Sequence, residues 1–425
     1  MEINNLLSGF DCACGRRHDC AIKHVYVEKN AIARLTDICR EYKNILIVAD
    51  ENTFSVAGGA TEEALVGKNI KEVVFSGKEI LVPDERAISA VEAELSGVDL
   101  IVGIGSGVIQ DLCKYVSHYN GLPYLVVATA PSMDGYASNG AAMITGGMKV
   151  TYPAGLPIAI VADTEVLKSA PAEMIRSGYG DIIGKFSALN DWKLSRLING
   201  EYFCDYIYNT TYEQIQLTIA SARGIMDRDE ESIRQLMEAL VVIGIMMSFA
   251  GSSRPASGSE HHMSHFFEIT GIVDGTDYLP HGTDVAYSTY VTSKIREELL
   301  SKKFPDKIYR LDAENYADIM RTIYKGSADG CIELQEKAGN YKAERIGVYL
   351  KKEREIKDIL AEMPSSEYIA TLLSSVGFDL DYFYSFYGKE RIKNATLYAK
   401  DLKDRYTVLW LYFDLFGYLY INGEI

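Results

Sequence analysis

The chain has 425 residues, too many for one ordinary core, so two domains are expected. With 48% apolar and 24% charged residues it is globular rather than disordered material. Its 43 basic and 59 acidic side chains give a formal charge of −16, which repels nucleic acid and anionic lipid, and no local basic patch offsets it. The most apolar run, 239–251, falls short of the roughly 20 residues of a membrane span. The first eleven residues hold no basic stretch leading into an apolar one, so no signal peptide is expected. These features point to a soluble cytoplasmic protein.

Seven cysteines, an odd number in a long chain, argue against a disulfide framework. Cys12, Cys14, His18 and Cys20 suggest a zinc knuckle, but structural zinc sites usually separate paired cysteines by two to four residues. No second pair follows at zinc-ribbon distance, so the segment reads as a reduced N-terminal lead-in.

Strands are expected at 22–27, 44–50, 71–75, 98–105, 123–129 and 157–163, where β-branched and apolar residues cluster. Amphipathic helices are expected between them, as at 31–42 and 85–97. Such alternation implies a mostly parallel, Rossmann-like sheet covered by helices, an α/β dinucleotide-binding domain spanning 1–168. Beyond it the strand signal stops and helical patterns follow at 178–198, 205–226, 231–250, 281–301, 311–327 and 399–420. Residues 169–425 therefore read as an all-helical domain, with the active site expected in the cleft between the two.

The strand at 98–105 runs into Gly103, Gly105 and Gly107 at the start of a helix. Glycines there let backbone N–H groups approach a phosphate, although tight strand–helix turns also use glycine for steric reasons. An ordinary dinucleotide fingerprint follows the first strand and has an acidic residue about 20 positions downstream. Here the loop follows the fourth strand, and the candidate ribose acid, Asp50, lies upstream. After the next strand, Thr129, Ser132, Asp134 and Ser138 either share the same sheet edge or form a solvated turn.

Asp181 is expected in the first turn of a helix, where a carboxylate often only complements the helix dipole. Four of the seven histidines, His261, His262, His265 and His281, fall within 21 residues. If 258–268 is helical, His261 and His265 share a face and His262 is turned about 100° away. One carboxylate and two imidazoles suit a catalytic divalent metal with an open position.

The motifs GIGSGVIQD, TAPSMDGYAS, GYGDIIGK, SRPASGSEHHMSH and LPHG, in this order, resemble the sn-glycerol-1-phosphate dehydrogenases. These belong to the superfamily of iron-type alcohol dehydrogenases, glycerol dehydrogenases and 3-dehydroquinate synthases. The resemblance covers about residues 20–300, and the helical tail beyond about 330 is similar to the longer bacterial branch. It implies that Gly105, Ser106, Gly107, Val108, Ile109, Gln110 and Asp111, with Thr129, Ala130, Pro131, Ser132 and Ser138, hold the dinucleotide. It further implies Asp181, His261 and His281 as metal ligands, and Asp134, Asp181 and His265 at the substrate. Ser106 and Gln110 depart from the family pattern, which has a third consecutive glycine and an aliphatic residue there.

The implied activity is metal-dependent interconversion of dihydroxyacetone phosphate and sn-glycerol 1-phosphate, important for phospholipid metabolism. The cofactor is NAD or NADP, with NAD preferred because Asp50 would repel a 2′-phosphate. The metal is zinc, nickel or iron. His265 is the candidate proton carrier, and Arg254 and Lys185 are possible partners of the substrate phosphate. Alternatives are a glycerol or other polyol dehydrogenase, a 3-dehydroquinate-synthase-type lyase, and a non-catalytic nucleotide-binding module. The partner is a phosphorylated small molecule, with no nucleic acid, no membrane span and a homo-oligomeric assembly.

Overall fold

The strands come in chain order as β1 (Phe10–Asp11), β2 (Arg17–His18), β3 (His24–Glu28), β4 (Asn44–Asp50), β5 (Asn69–Phe75), β6 (Leu100–Gly105), β7 (Tyr124–Ala128), β8 (Gly140–Thr145), β9 (Met148–Pro153) and β10 (Ala159–Asp163). The computed structural model describes residues 3–79, 81–146, 148–307 and 313–417. Six of the strands form one sheet in the order β3-β10-β7-β6-β4-β5, every neighbouring pair parallel. Ile45, Ile47 and Ala49 of β4 enter one core with Leu100, Val102 and Ile104, while Leu46 and Val48 enter a second core with Ile101. Successive residues thus feed opposite faces, which is why these strands read as continuous apolar runs.

From β4 the chain passes outward to β5, then returns to β6 on the other side of β4 and moves on to β7. The strand order reverses at β4 and β6, so their carboxyl ends, Asp50 and Gly105, flank a topological switch point. Open parallel sheets bind ligands there.

Two expected helices are shorter than their patterns. Residues 31–42 give only a 3₁₀ turn, Ala31–Arg34, and Leu35–Ile38. Thr36, Asp37 and Ile38 are weak helix formers, which limits that segment. The helix expected at 85–97 ends at Glu92. The β8–β9 hairpin was missed: GAAMIT of β8 is short and shows no alternation, although MKVTYP of β9 alternates apolar and polar residues. The hairpin turns through Gly146, whose φ of 59° suits a residue without a Cβ.

The principal helices are α1 (Glu51–Ala64), α2 (Gly107–Asn120), α3 (Ala172–Asn199), α4 (Glu230–Ala250), α5 (Ser259–Asp274) and α6 (His281–Ser301). The chain forms two units, Met1–Ile182 with Gln216–Ser253, and Ile183–Ile215 with Arg254–Ile425. This replaces the single cut expected after residue 168. The reason lies in α4, which packs in the sheet unit: a Cβ on Gly244 would come within 2.8 Å of Ala137 Cβ and Asp134 O, and Ser248 Oγ donates to Ala137 O at 3.1 Å. Although α4 is long and apolar enough to cross a membrane, 78% of its most apolar window is buried inside the protein. It is a core helix.

In the second unit every described element is helical. The pattern at 281–301 matches α6. That at 311–327 becomes Ala313–Tyr324 and Lys325–Ser327, and that at 399–420 becomes Ala399–Leu402 and Val408–Phe416. Residues 311–312 and 418–420 of those patterns lie outside the described residues.

Candidate active site

In the first unit, β6 delivers its chain into α2 through Gly105, Ser106 and Gly107. Ser106 is the N-cap and provides no side-chain cap, so the first-turn N–H groups of α2 keep their capacity to meet an anion. Gly105 is required by packing, since a Cβ there would lie 2.6 Å from Ile109 Cβ. At Gly107 a Cβ would meet only Met133, at 3.8 Å. Thr129 N donates to Gly105 O at 3.2 Å, which stitches the loop after β7 to the glycine loop.

Behind the cradle, side chains brace the loop that carries Asp134 and Ser138. Gln110 Nε2 donates to Tyr136 O at 2.7 Å, and Tyr136 Oη donates to Ala130 O at 2.7 Å. Lys114 is buried, and its Nζ donates to Gly140 O at 2.8 Å, Ser138 Oγ at 3.2 Å and Asp111 Oδ1 at 3.3 Å. Burial pushes its pKa down, against the opposing pull of Asp111 and Asp134. Lys114 was not singled out from sequence. Its signal was a lysine four residues after Gln110 and three after Asp111, on the polar face of α2.

Asp50 caps α1: its Oδ1 accepts from Asn52 N at 2.8 Å and Thr53 N at 2.9 Å, completing a capping box with Thr53. Its position at the end of β4 is therefore fixed by local structure.

Asp181 does not open a helix. The helix begins at Ala172, and Gly178 lies inside it because a Cβ there would fall 1.8 Å from Pro131 O. An alanine would have to displace backbone, at a cost of order 1–3 kcal/mol or more. The glycines that read as a helix start are a packing contact with the loop after β7. Asp181 is thus mid-helix and fully buried, and its Oδ2 accepts from Asp134 N at 2.9 Å. Complementing the helix dipole does not account for it.

In the second unit, Gly184 of α3 lets α5 and α6 approach: a Cβ there would lie 2.4 Å from Val285 Cγ1 and 3.4 Å from Glu260 Cγ. Asp191 caps α5 by accepting from Ser259 N at 2.7 Å. The first two turns of α5 and the start of α6 bring His261, His265 and His281 together. Ring centroids are 5.1 Å apart for His261 and His281, 5.7 Å for His265 and His281, and 6.4 Å for His261 and His265. A ring nitrogen of His261 and one of His281 lie within 4.8 Å of each other.

Burial, then the positive charges of Lys185 and His281, hold the His261 imidazole well below its ordinary pKa, in its neutral, ligating form. His262 is absent from this group. It is fully buried, its ring nitrogens find no hydrogen-bond partner, and burial likewise keeps it neutral.

Glu260 was missed. It is fully buried, and its Oε1 lies 2.7 Å from His261 Nδ1 while accepting from Gly258 N at 2.8 Å. A proton on Nδ1 donated to Glu260 leaves Nε2 as the lone-pair nitrogen, the usual second partner of a ligating histidine. Burial first, then the charge of Asp191, raise the Glu260 carboxyl to about 7. The acid next to the histidine pair was the available signal. Arg254, expected near a substrate phosphate, is instead 2% exposed and committed to Glu201, at 2.7 Å, and the Tyr406 carbonyl, at 2.6 Å. Lys185, on α3, is buried and close enough to influence His261.

Residues 26–171 match the iron-containing alcohol dehydrogenase family. The chain is 34% identical over 301 residues to a glycerol-1-phosphate dehydrogenase [NAD(P)+] of Halalkalibacterium halodurans, covering 69% of this chain and 75% of the relative. It belongs to the glycerol-1-phosphate dehydrogenase family. A Methanosarcina acetivorans member is 36% identical over 247 residues, covering 57% of this chain and 69% of the relative. The fold is shared with sulfoacetaldehyde reductase from Bifidobacterium kashiwanohense, with a TM-score of 0.59, 13% identity, and coverage of 90% and 92%.

The groups that a glycerol-1-phosphate dehydrogenase implies suit the residues present. The imidazoles of His261 and His281, the first with its tautomer set by Glu260, can hold a divalent ion, and the uncapped start of α2 can hold a pyrophosphate. The two departures from the family pattern are accommodated. Ser106 adds no competing cap, and Gln110 turns inward to brace Tyr136.

Proposed function

We propose that the chain interconverts dihydroxyacetone phosphate and sn-glycerol 1-phosphate, with NAD(H) preferred over NADP(H). One divalent ion (zinc, nickel or iron) would be held by Asp181, His261 and His281. The observation that carries the reading is the His261–His281 pair, with one ring nitrogen of each within 4.8 Å of the other and Nδ1 of His261 oriented by Glu260. Lys185 is among the charges felt by His261. The substrate and cofactor follow the relatives' name, glycerol-1-phosphate dehydrogenase [NAD(P)+].

When bound, the ion would supply Lewis acidity toward the reacting oxygen, and the nicotinamide would exchange hydride with the substrate carbon. The chain's own part is positioning. The Gly105–Asp111 turn and the Thr129–Ser132 loop hold the dinucleotide, with Ser138 beside them, and Asp50 faces the ribose hydroxyls. Asp134 orients substrate, and its N–H is already tied to Asp181. His265, half-buried beside His281, passes the proton to solvent. Lys185 is the remaining candidate for the substrate phosphate. The reading includes a cytoplasmic enzyme that assembles from identical chains.

The test is NADH oxidation by purified protein with dihydroxyacetone phosphate and with unphosphorylated dihydroxyacetone, each with and without chelator. Fast, chelator-sensitive turnover of the phosphorylated ketone alone supports the proposal. Preference for the unphosphorylated ketone points to a polyol dehydrogenase, and turnover that survives exhaustive chelation removes the metal.

A further inference from the structure

The segment Cys12–His18 forms a metal-ligand geometry that the oxidoreductase reaction does not use. β1 and β2 make a two-residue antiparallel pair, Phe10 with His18 and Asp11 with Arg17. The intervening turn is closed by Cys12 N to Arg16 O and Gly15 N to Cys12 O, both at 3.0 Å, with Gly15 at φ 84°. A turn this tight overcomes the short cysteine spacing that argued against a metal from sequence. It folds Cys12 and Cys14 back toward the strand carrying His18, and one ligand atom from each of the three lies within 4.8 Å of the others.

Cys14 Sγ is 3.5 Å from His18 Nε2. A tetrahedral ion with bonds of about 2.3 Å to sulfur and about 2.1 Å to nitrogen separates those two atoms by roughly 3.6 Å. The observed pair is therefore already at ligand spacing. The imidazole is fixed: His18 is fully buried, stacks on Phe249 at 5.1 Å with 15° between planes, and meets Phe10 edge-on at 5.4 Å. Cys12 and Cys14 are half-buried, so they remain reachable by an ion.

We propose that Cys12, Cys14 and His18 form a second, structural site for a thiophilic divalent ion, zinc being the chemistry that fits. The fourth position is left to a further thiol or water. Binding releases two thiol protons to solvent and leaves the ion's oxidation state unchanged. In place of an extensive ladder, the ion cross-links a hairpin with only two paired positions per strand.

Cobalt(II) distinguishes this site from the oxidoreductase one, because only thiolate ligands give a sulfur-to-cobalt charge-transfer band in the near ultraviolet. Wild-type protein, stripped of metal under reducing conditions and titrated with cobalt(II), is expected to show that band and to bind two ions per chain. Asp181→Asn should keep the band while losing the other ion, so failure of the catalytic reading leaves this result untouched. Cys12→Ser/Cys14→Ser should lose the band and one ion. A wild-type titration with no charge-transfer band overturns the proposal, whether or not the variants fold. So does a band of undiminished intensity in the double variant.

Discussion

Glu260 Oε1 lies 2.7 Å from Nδ1 of His261, the residue that follows it in the chain. Adjacent helical side chains diverge by about 100°, so the contact depends on the start of α5, where Gly258 donates its N–H to the same oxygen. Glu260→Gln keeps the shape but removes the charge that orients the imidazole. Metal affinity, measured by competition with a chromophoric chelator, should fall about 10–100-fold with little change in melting temperature. Unchanged affinity would leave Glu260 as buried helix-start chemistry.

The three clustered histidines should separate by role. His261→Ala should lose metal and turnover together, and His265→Ala should retain metal while turnover drops by about 10²–10⁴-fold. His262, buried without a hydrogen-bond partner, should tolerate replacement by Leu with metal content intact and turnover within about two- to threefold of wild type. Metal release by the His262 variant and retention by the His261 variant would reverse the assignment.

Asp50 tests the cofactor preference. Its Oδ1 is occupied by the first turn of α1, and the carboxylate stands at the switch point beside β6. kcat/KM should favour NADH over NADPH, and Asp50→Ser should narrow the ratio by on the order of tenfold, mainly through the KM for NADPH. NADPH used as well as NADH by wild type would remove Asp50 from the ribose.

Asp284 sets a pH dependence. It is fully buried on α6, and burial pushes its carboxyl well above the ordinary value even though Tyr387 Oη donates to it at 2.8 Å. A raised folded-state pKa means that the folded protein holds a proton the unfolded chain gives up. Its stabilising contribution is complete below about pH 4 and is lost as pH rises through the folded value. Asp284→Asn should therefore gain stability relative to wild type as pH goes from about 4 toward neutral, read as a widening difference in melting temperature. A difference that narrows over that range would contradict this.

The centre of the sheet was legible because β4, β6, β7 and β10 are buried on both faces. β4 begins and ends where the apolar run 44–50 does, and α6 likewise matches 281–301. What escaped depended on contacts distant in sequence. Gly178 reads as a helix start until Pro131 is seen against it, and α4 reads as part of the helical domain until Gly244 is seen against Asp134. Arg254 looked available to a phosphate because Glu201, 53 residues earlier, gives no local sign of pairing with it. The histidine register was legible because it follows from helix geometry alone. Glu260 was not, because its role rests on the backbone at Gly258 and the burial imposed by α3.

Elemental analysis of Asp181→Asn, alongside its turnover of dihydroxyacetone phosphate with NADH, tests the central claim most directly. Asp181 is buried mid-helix, where a charge without a partner or an ion is costly, and asparagine preserves its volume. The variant is expected to fold, to lose the ion of the oxidoreductase site, and to lose at least about 10²-fold in turnover, as a metal supplying several kcal/mol requires. Full occupancy of that site together with near-normal turnover would contradict the assignment.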